Sequence, residues 1–490
     1  MSTSPGQPST PIRAHQLAQA CVLIFLYAVP ALVCIYNAHV SDPDIWWHLR
    51  TGQWIQQHHA MPHTDLYSST NAGKPWAAYS WLFDLLTFQL FSHLGLAGIV
   101  TYTAGMLLLI TAAIHHLVRR LQFDFTLGIV FTYAACFSFG HLYTPRPWLF
   151  TLLFFALELD ILMQARRTGR LRELAWLPLL FALWANLHIQ FIDGLIILAL
   201  ALAESLLALK QSKTPTLLRP RPLAAIFLAC ILATLANPYG WHLYQVAFQL
   251  ASQSGVLNTV TELQAMPFRD LSDYVLLILT LASAAALARA RRFLPFETAL
   301  FIFAVIVSFR SQRDVWVMAI AAAAILSSTL PGSRKAPQHL PTAVTPLLIV
   351  LAALAAALGF PAMHRNNATL STQLAADLPV QAVEAAKARD YTGPLFNTYN
   401  WGGYLIWSLR LPVAIDGRAA LYGDQAIDRS RNTWNAQPDW ATDPQLLAAG
   451  LIIAPLKSPL AQLLRLDPRF ELTYQDKTAA LFLPRKPPPQ

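Results

Sequence analysis

Apolar runs recur along this chain at lengths suited to crossing a hydrocarbon layer, and that recurrence restricts it to a helical membrane protein. The first, Leu17 to Asn37, covers roughly 20 positions, enough for one helical crossing. A secretory signal peptide is the rival reading. The run is long for one, lacks a small-x-small cleavage site, and has only Arg13 and His15 upstream. Ten further candidates follow: Ala97 to Val118, Phe125 to Leu142, Trp148 to Met163, Leu174 to Leu187, Phe191 to Leu209, Leu223 to Ala236, Tyr274 to Leu287, Pro295 to Phe309, Val315 to Leu330 and Val344 to Phe360. About eleven spans are therefore expected, several of them short.

Composition agrees, with 55% hydrophobic and 12% charged residues and a mean hydropathy of +0.41. The net charge of +9 would suit a polyanion, but Lys and Arg sit in short loops between apolar runs, so they read as topology signals and no nucleic-acid partner is expected. Cys21, Cys34, Cys136 and Cys230 all lie inside apolar runs without Cys-x-x-Cys spacing, which supports neither a zinc site nor a disulfide framework.

Orientation follows from the basic loops. With residues 1–16 as a cytoplasmic tail, one side collects Arg119-Arg120, then Arg166, Arg167, Arg170 and Arg172, then Lys210, Lys213, Arg219 and Arg221, then Arg289, Arg291 and Arg292, then Arg334 and Lys335. This requires Trp76 to His93, apolar but holding Asp84, to lie along the outer interface. A membrane module over 17–360 is expected, with outer loops at 38–96 and 237–273. The first loop should bear interfacial helices around Trp46 to Gln57 and Tyr79 to Phe91. Residues 361–490 have soluble composition and should form a small outer α/β domain. A helix opened by Asp377 and Pro379 runs to Ala388, and strands lie near Pro394 to Phe396, Val413 to Ile415, Leu451 to Ala454 and Ala479 to Leu483. Lys486 to Gln490 read as a frayed end.

The residues with chemical potential gather near the outer ends of the runs. Asp42 and Asp44, in Ser41-Asp42-Pro43-Asp44-Ile45-Trp46-Trp47-His48, stand in a wet but enclosed place. A carboxylate there accepts a proton, holds a cation, or caps the following helix, and all three readings stay open. Arg146, stiffened between Pro145 and Pro147, suits a phosphate or a lipid headgroup. Arg310 and Arg313 form a second cluster against the inside bias, fit for an anionic lipid-linked substrate or for ion pairs to Asp314 or Asp273. His188, Gln190 and Asp193 make a polar island that suits a sugar or a helix-to-helix network. Glu158 and Asp160 read as structural. The loop from Asn237 to Asp273, with Glu262, Arg269 and Asp270, could cover a substrate. In the outer domain, Trp401, Gly403 and Tyr404, followed by Asp416 and Arg418, offer aromatic faces and close backbone approach, or a tight packed turn. No phosphate loop, nucleophile elbow or His-Glu-x-x-His motif occurs.

Together these stretches resemble the GT-C class of polytopic glycosyltransferases, which includes lipopolysaccharide-modifying and protein-mannosylating enzymes and the catalytic subunit of oligosaccharyltransferase. More narrowly, the chain resembles bacterial membrane proteins of the RgtA/B/C/D-like type. The resemblance rests on Asp44 to Leu49 with Thr51-Gly52, Arg146-Pro147, Trp184 to His188, Asn237-Pro238-Tyr239-Gly240, and Trp401 to Tyr404 with Asp416-Gly417-Arg418. It implies a polyprenyl-phosphate sugar donor and a catalytic acid in the first outer loop, which maps to Asp44. Trp401 to Tyr404 is similar to the Trp-Trp-Asp-Tyr-Gly motif of oligosaccharyltransferase, but Asn400 precedes a single Trp and Gly402 stands where Asp would be, so peptide recognition is not carried over.

The expected protein is a multi-pass glycosyltransferase of the bacterial plasma membrane. Asp44, with Asp42, would be the base, and Arg146, Arg310 or Arg313 would hold the donor phosphate. Trp47, His48, His188, Gln190, Trp401, Gly403, Tyr404, Asp416 and Arg418 would contact sugar or acceptor. Membrane lipids and an unspecified glycan, lipid or protein acceptor are the expected partners, and a divalent cation is left open. A carrier for lipid-linked sugars and a non-catalytic scaffold are the alternatives, a carrier requiring charged residues around a cavity at mid-depth.

Overall fold

Away from water each backbone N–H and C=O must find its partner within its own segment, so the apolar runs become helices. In this computed structural model residues 10–37, 40, 42–211, 218–252, 261–330, 344–391 and 393–485 are described. The helices are α1 (Thr10–Asn37), α2 (Ile45–His58), α3 (Trp81–Leu94), α4 (Leu96–Leu121), α5 (Phe125–Ser138), α6 (Trp148–Thr168), α7 (Leu177–Leu187), α8 (Phe191–Gln211), α9 (Pro220–Thr234) and α10 (His242–Ser252). They continue with α11 (Leu271–Ala288), α12 (Pro295–Arg310), α13 (Val315–Thr329), α14 (Thr345–Ala362), α15 (Asn367–Asp377), α16 (Val380–Lys387), α17 (Tyr399–Leu409), α18 (Ala419–Trp434) and α19 (Pro459–Leu466). Lys213, Arg334, Lys335 and residues 486–490 lie outside the described residues.

Every expected span is helical, but among the described residues only six helices are long and apolar enough to cross a membrane by length and composition. These are Ala14–Asn37, Leu96–Leu121, Trp148–Thr168, Phe191–Leu209, Leu271–Ala288 and Thr345–Ala362. The others are shorter, from 11 residues in α7 to 16 in α12. They survive by packing: Val315 to Leu326 of α13 are each at most 2% exposed, so this Ala-rich helix is wrapped on all sides. Its small side chains let neighbouring helices approach closely.

The two ends of the bundle differ. At one, Arg120 meets Asp160 at 2.6 Å, and Arg166 grips both Glu204 (2.8 Å) and Glu297 (2.7 Å), tying α6, α8 and α12 together. The other end carries the first loop and the C-terminal domain. There α2 and α3 form as expected and pack tightly, because Gly52 leaves room for the backbone carbonyl of Asp84. Gly95, at φ 65°, turns α3 into α4, and the Asn367 amide covers both free helix ends, donating to Leu94 O (3.0 Å) and accepting from Ala97 N–H (2.9 Å).

The C-terminal sheet has the order β1-β2-β4-β3, from β1 (Leu395–Asn397), β2 (Leu451–Pro455), β3 (Phe470–Gln475) and β4 (Ala479–Pro484). β1 and β2 are parallel, and the other pairs are antiparallel. β3 escapes the sequence pattern because it is a half-exposed strand with Glu471, Thr473 and Gln475 interleaved among apolar residues. Val413 to Ile415, expected as a strand, instead bridges two parts of the molecule. Val413 N–H donates to Tyr67 O (3.0 Å), its carbonyl accepts from Ser69 N–H (2.9 Å), and Val413 also pairs with Leu395. The first loop thereby extends the sheet, so residues 361–490 are built into the loop layer beneath them.

Candidate active site

In the turn between α1 and α2 the two acids have different partners. Asp42 Oδ1 accepts the backbone N–H groups of Asp44 (2.9 Å) and Ile45 (3.3 Å), and its Oδ2 accepts Arg146 Nε (2.8 Å). Asp42 is therefore the capping residue. Asp44 occupies the N-cap position but its side chain makes no cap bond, and it takes Arg146 Nη1 instead. Arg146 is thus committed to both carboxylates, where a donor phosphate had been expected. In an enclosed site two adjacent anions need a shared cation, and a planar fork supplies it. Its guanidinium also lies 5.1 Å from the Trp148 ring centroid, and its carbonyl accepts the Tyr102 hydroxyl (2.9 Å).

Burial pushes the Asp44 carboxyl up to about 6; Arg146 opposes this, while Asp42 and Glu262 add to it. Glu262, in a single helical turn at Thr261–Leu263, also bears on Arg146. Its segment is tied to the loop after α12, with Gln312 N–H donating to Gln264 O (2.9 Å). Arg313 stands on that loop, 33% exposed, its Nε 3.9 Å from Asp314 Oδ1 and without a hydrogen bond among the described residues. Arg310 ends α12 in an exposed position. Gln190 donates to Asp314 (2.7 Å), so it shapes the same corner.

One turn after Asp44, His48 Nδ1 lies 2.5 Å from Asp84 Oδ1, and both side chains are nearly inaccessible. Burial lowers the His48 imidazole well below its usual range and raises the Asp84 carboxyl well above its own. Burial thus favours the uncharged form of each group, an arrangement in which the carboxyl O–H donates to Nδ1. Trp47 stacks on His48 at 3.6 Å between centroids, which holds the ring flat. His188 is fixed by Thr151 (Nδ1 to Oγ1, 2.8 Å), whose hydroxyl also accepts Trp184 Nε1–H (2.8 Å), and burial lowers its pKa to about 3.

The C-terminal domain closes the site. A Cβ on Gly403 would overlap the Pro43 carbonyl, one on Gly402 would overlap the Ile415 carbonyl, and one on Gly417 would overlap Asp44 Oδ1. These glycines let α17 and the Asp416-Gly417-Arg418 turn lie directly against the acid turn. Tyr399 donates to Gly417 O (3.1 Å) and holds that turn in place. Asp416 and Arg418, expected to touch acceptor, are instead buried and satisfied internally. Arg418 donates to Asp416 (2.8 and 2.7 Å) and to Asp65 of the first loop (2.7 Å), and Tyr422 donates to Asp416 (2.6 Å). Trp401 and Tyr404 are also packed, Trp401 donating to Asp377 O (3.2 Å) and Tyr404 lying edge-on to Trp46 at 5.2 Å.

The site thus brings Asp42, Asp44, Arg146, His48, His188, Gln190 and Arg313 to one end of the bundle, while the Trp401 to Arg418 group buttresses it. Asp84, Asp65, Tyr399 and Gly417 were missed. Asp84 carried a signal, an acid among apolar residues in Trp76 to His93, which had been read only as an interfacial helix. Among the described residues no group of three or more His, Cys, Asp or Glu is arranged to hold a metal ion. A divalent cation on Asp42 and Asp44 would have to displace Arg146.

No protein-family model and no curated protein matches the chain. Among solved structures it is similar to the Archaeoglobus fulgidus oligosaccharyltransferase tethered to an acceptor peptide through a disulfide, at 14% identity and a TM-score of 0.49 over 91% of this chain and 69% of that one. It is also similar to ArnT from Cupriavidus metallidurans bound to undecaprenyl phosphate, at 14% identity and a TM-score of 0.44 over 94% and 97% of the two chains. Likenesses of this size assign neither a reaction nor any residue.

Proposed function

We propose that this protein is a membrane glycosyltransferase that moves a sugar from a polyprenyl-phosphate carrier to an acceptor hydroxyl on the outer face of the plasma membrane. The observation that carries the reading is the Asp44 carboxylate. It is released from capping by Asp42, steadied by Arg146, and set at the mouth of the bundle, where Tyr79 lies within reach of both the Asp44 and the Arg313 charges. The motif resemblance supports the same reading.

In this mechanism Asp44 takes the acceptor proton as the hydroxyl oxygen attacks the anomeric carbon. The bond from that carbon to the phosphate oxygen breaks, and its electron pair leaves with the carrier phosphate. A carboxyl near pH 6 is well matched to a base working near neutrality. Arg313, with Arg310 beside it, neutralises the leaving phosphate. Arg146 positions the base, and His48 and His188, held neutral, contribute hydrogen bonds without competing cationic charge.

A carrier for lipid-linked sugars would need polar groups around a mid-depth cavity. Glu158, a carboxylate within α6, is 1% exposed, so no water-filled passage reaches it. The test is reconstitution of the full chain in proteoliposomes with a polyprenyl-phosphate sugar and candidate acceptors. Acceptor-dependent release of free polyprenyl phosphate is expected. Movement of intact donor between leaflets without release would support the carrier.

A further inference from the structure

A cavity lies between α3 and α17. It is an open groove of about 630 Å³ bounded by α3, the start of α4, α15, the end of α16 and α17. Trp46 and Tyr404, edge to face at 5.2 Å, line it. Phe91, Leu96, Leu374 and Trp407 provide apolar walls, and Lys387 and Arg410 stand among them.

Place and charge say what fits there. Leu96 is the first residue of a membrane-spanning helix, so the groove opens where that helix leaves the hydrocarbon, the depth at which aromatic residues meet lipid headgroups. Arg410 closes α17 at φ 58°, a left-handed position that Gly or Asn usually fills, so a long cationic side chain is held there against the backbone's preference. Arg50 of α2, its ionisation depressed chiefly by burial, is also near enough to feel the Arg410 charge. The opposing charge is Glu384, 2.8 Å from Lys387, and Ser408 is turned away to the Tyr404 carbonyl (2.6 Å). Lys387 and Arg410 thus line the groove against one paired acid, which leaves a cationic surplus beside an apolar trough at headgroup level.

We infer that this groove binds an anionic phospholipid of the outer leaflet, its acyl chains along Phe91, Leu96 and Leu374 and its phosphate against Lys387 and Arg410. The bound lipid ties the C-terminal helices to the interfacial helix α3 and so steadies the domain that backs the acid turn. The site is independent of sugar transfer.

The test uses the full chain in nanodiscs of phosphatidylcholine with or without phosphatidylglycerol, reading thermal unfolding and, by native mass spectrometry, retained phosphatidylglycerol. Wild type is expected to retain phosphatidylglycerol and to unfold at a higher temperature with it. Lys387→Gln and Arg410→Gln should each lower retention about fivefold, the loss expected for one cation near an anionic headgroup. Arg389→Gln, an exposed cation that does not line the groove, should match wild type, and Asp44→Asn should keep the full lipid response even if transfer is lost. Equal retention in the groove variants and wild type would overturn the proposal. So would an equal thermal shift from inorganic phosphate alone, which would make the occupant a free anion. Should a groove variant fail to fold, the phosphatidylglycerol response of the wild type against Trp407→Leu decides the same question.

Discussion

The backbone of Gly417 lies directly against the Asp44 carboxylate, so a residue of the C-terminal domain limits where the acid of the first loop can sit. Tyr399 holds Gly417 by its carbonyl, and Arg146 holds Asp44 from the opposite side. Gly417→Ala would force the carboxylate aside while leaving the Asp416–Arg418 pair in place. Such a displacement should cost about 100-fold in kcat/KM. The measurement is transfer kinetics alongside thermal unfolding, and an unfolding temperature close to wild type with the activity loss is the expected combination.

Asp42 and Asp44 are separable by their hydrogen bonds. Asp42→Ala should mainly destabilise α2, by about 1 kcal/mol for a lost cap, and loosen Arg146. Asp44→Asn keeps the shape and removes the base. Because burial raises the Asp44 carboxyl to about 6, transfer should rise with pH through that value and level off above it. The sign for stability is opposite. A carboxyl raised on folding binds its proton more tightly in the native state, so this group's contribution falls as pH rises from about 3.9 towards 6. A pH profile of kcat/KM that lacks an acidic limb near 6 would contradict the assignment.

The His48–Asp84 pair should be neutral because both groups are buried away from water. Asp84→Asn retains a donor to His48 Nδ1 and should change stability by less than about 1 kcal/mol, whereas Asp84→Ala leaves the imidazole nitrogen unpaired and should cost about 1–3 kcal/mol. Thermal unfolding of the two variants decides between a neutral pair and an ion pair. Equal, large losses would indicate an ion pair.

Arg313 and Arg146 should fail in different ways. Arg313→Ala removes the cation proposed for the leaving phosphate and should lower kcat by about 10²–10³-fold with the fold intact. Arg146→Ala leaves two acids facing each other and should lower stability as well as rate. Rates and unfolding temperatures measured on both variants separate the two roles.

Arg418 carries a structural prediction. Its removal strands Asp416 and Asp65, both buried, and should cost about 3–5 kcal/mol. Protease sensitivity of the first loop in Arg418→Ala should rise, since that contact joins loop and domain.

What was legible in the sequence was what depends on local pattern. Hydropathy located a helix at every expected span, because an apolar segment without water has few ways to satisfy its backbone, and α2 and α3 lie where interfacial helices were expected; α10, inside the expected loop 237–273, was not anticipated. Long-range pairing was not legible. Both Asp42 and Asp44 bind Arg146, which arrives from about a hundred residues away and which no local pattern announces, and only Asp42 also accepts backbone N–H groups of its own turn. Likewise Gly402, Gly403 and Gly417 look like turn formers, yet what they permit is close approach between distant segments. Asp416 and Arg418 looked available for ligand because their buried partner, Asp65, belongs to the first loop. β3 escaped because an exposed edge strand shows mixed polarity.

The central claim is that Asp44 takes the proton of the attacking hydroxyl. Its most direct measurement is single-turnover transfer from a labelled polyprenyl-phosphate sugar in proteoliposomes, comparing wild type with Asp44→Asn above pH 7. The account predicts a loss of about 10²–10⁴-fold in the transfer step with donor binding retained. An unchanged transfer rate in Asp44→Asn would contradict it.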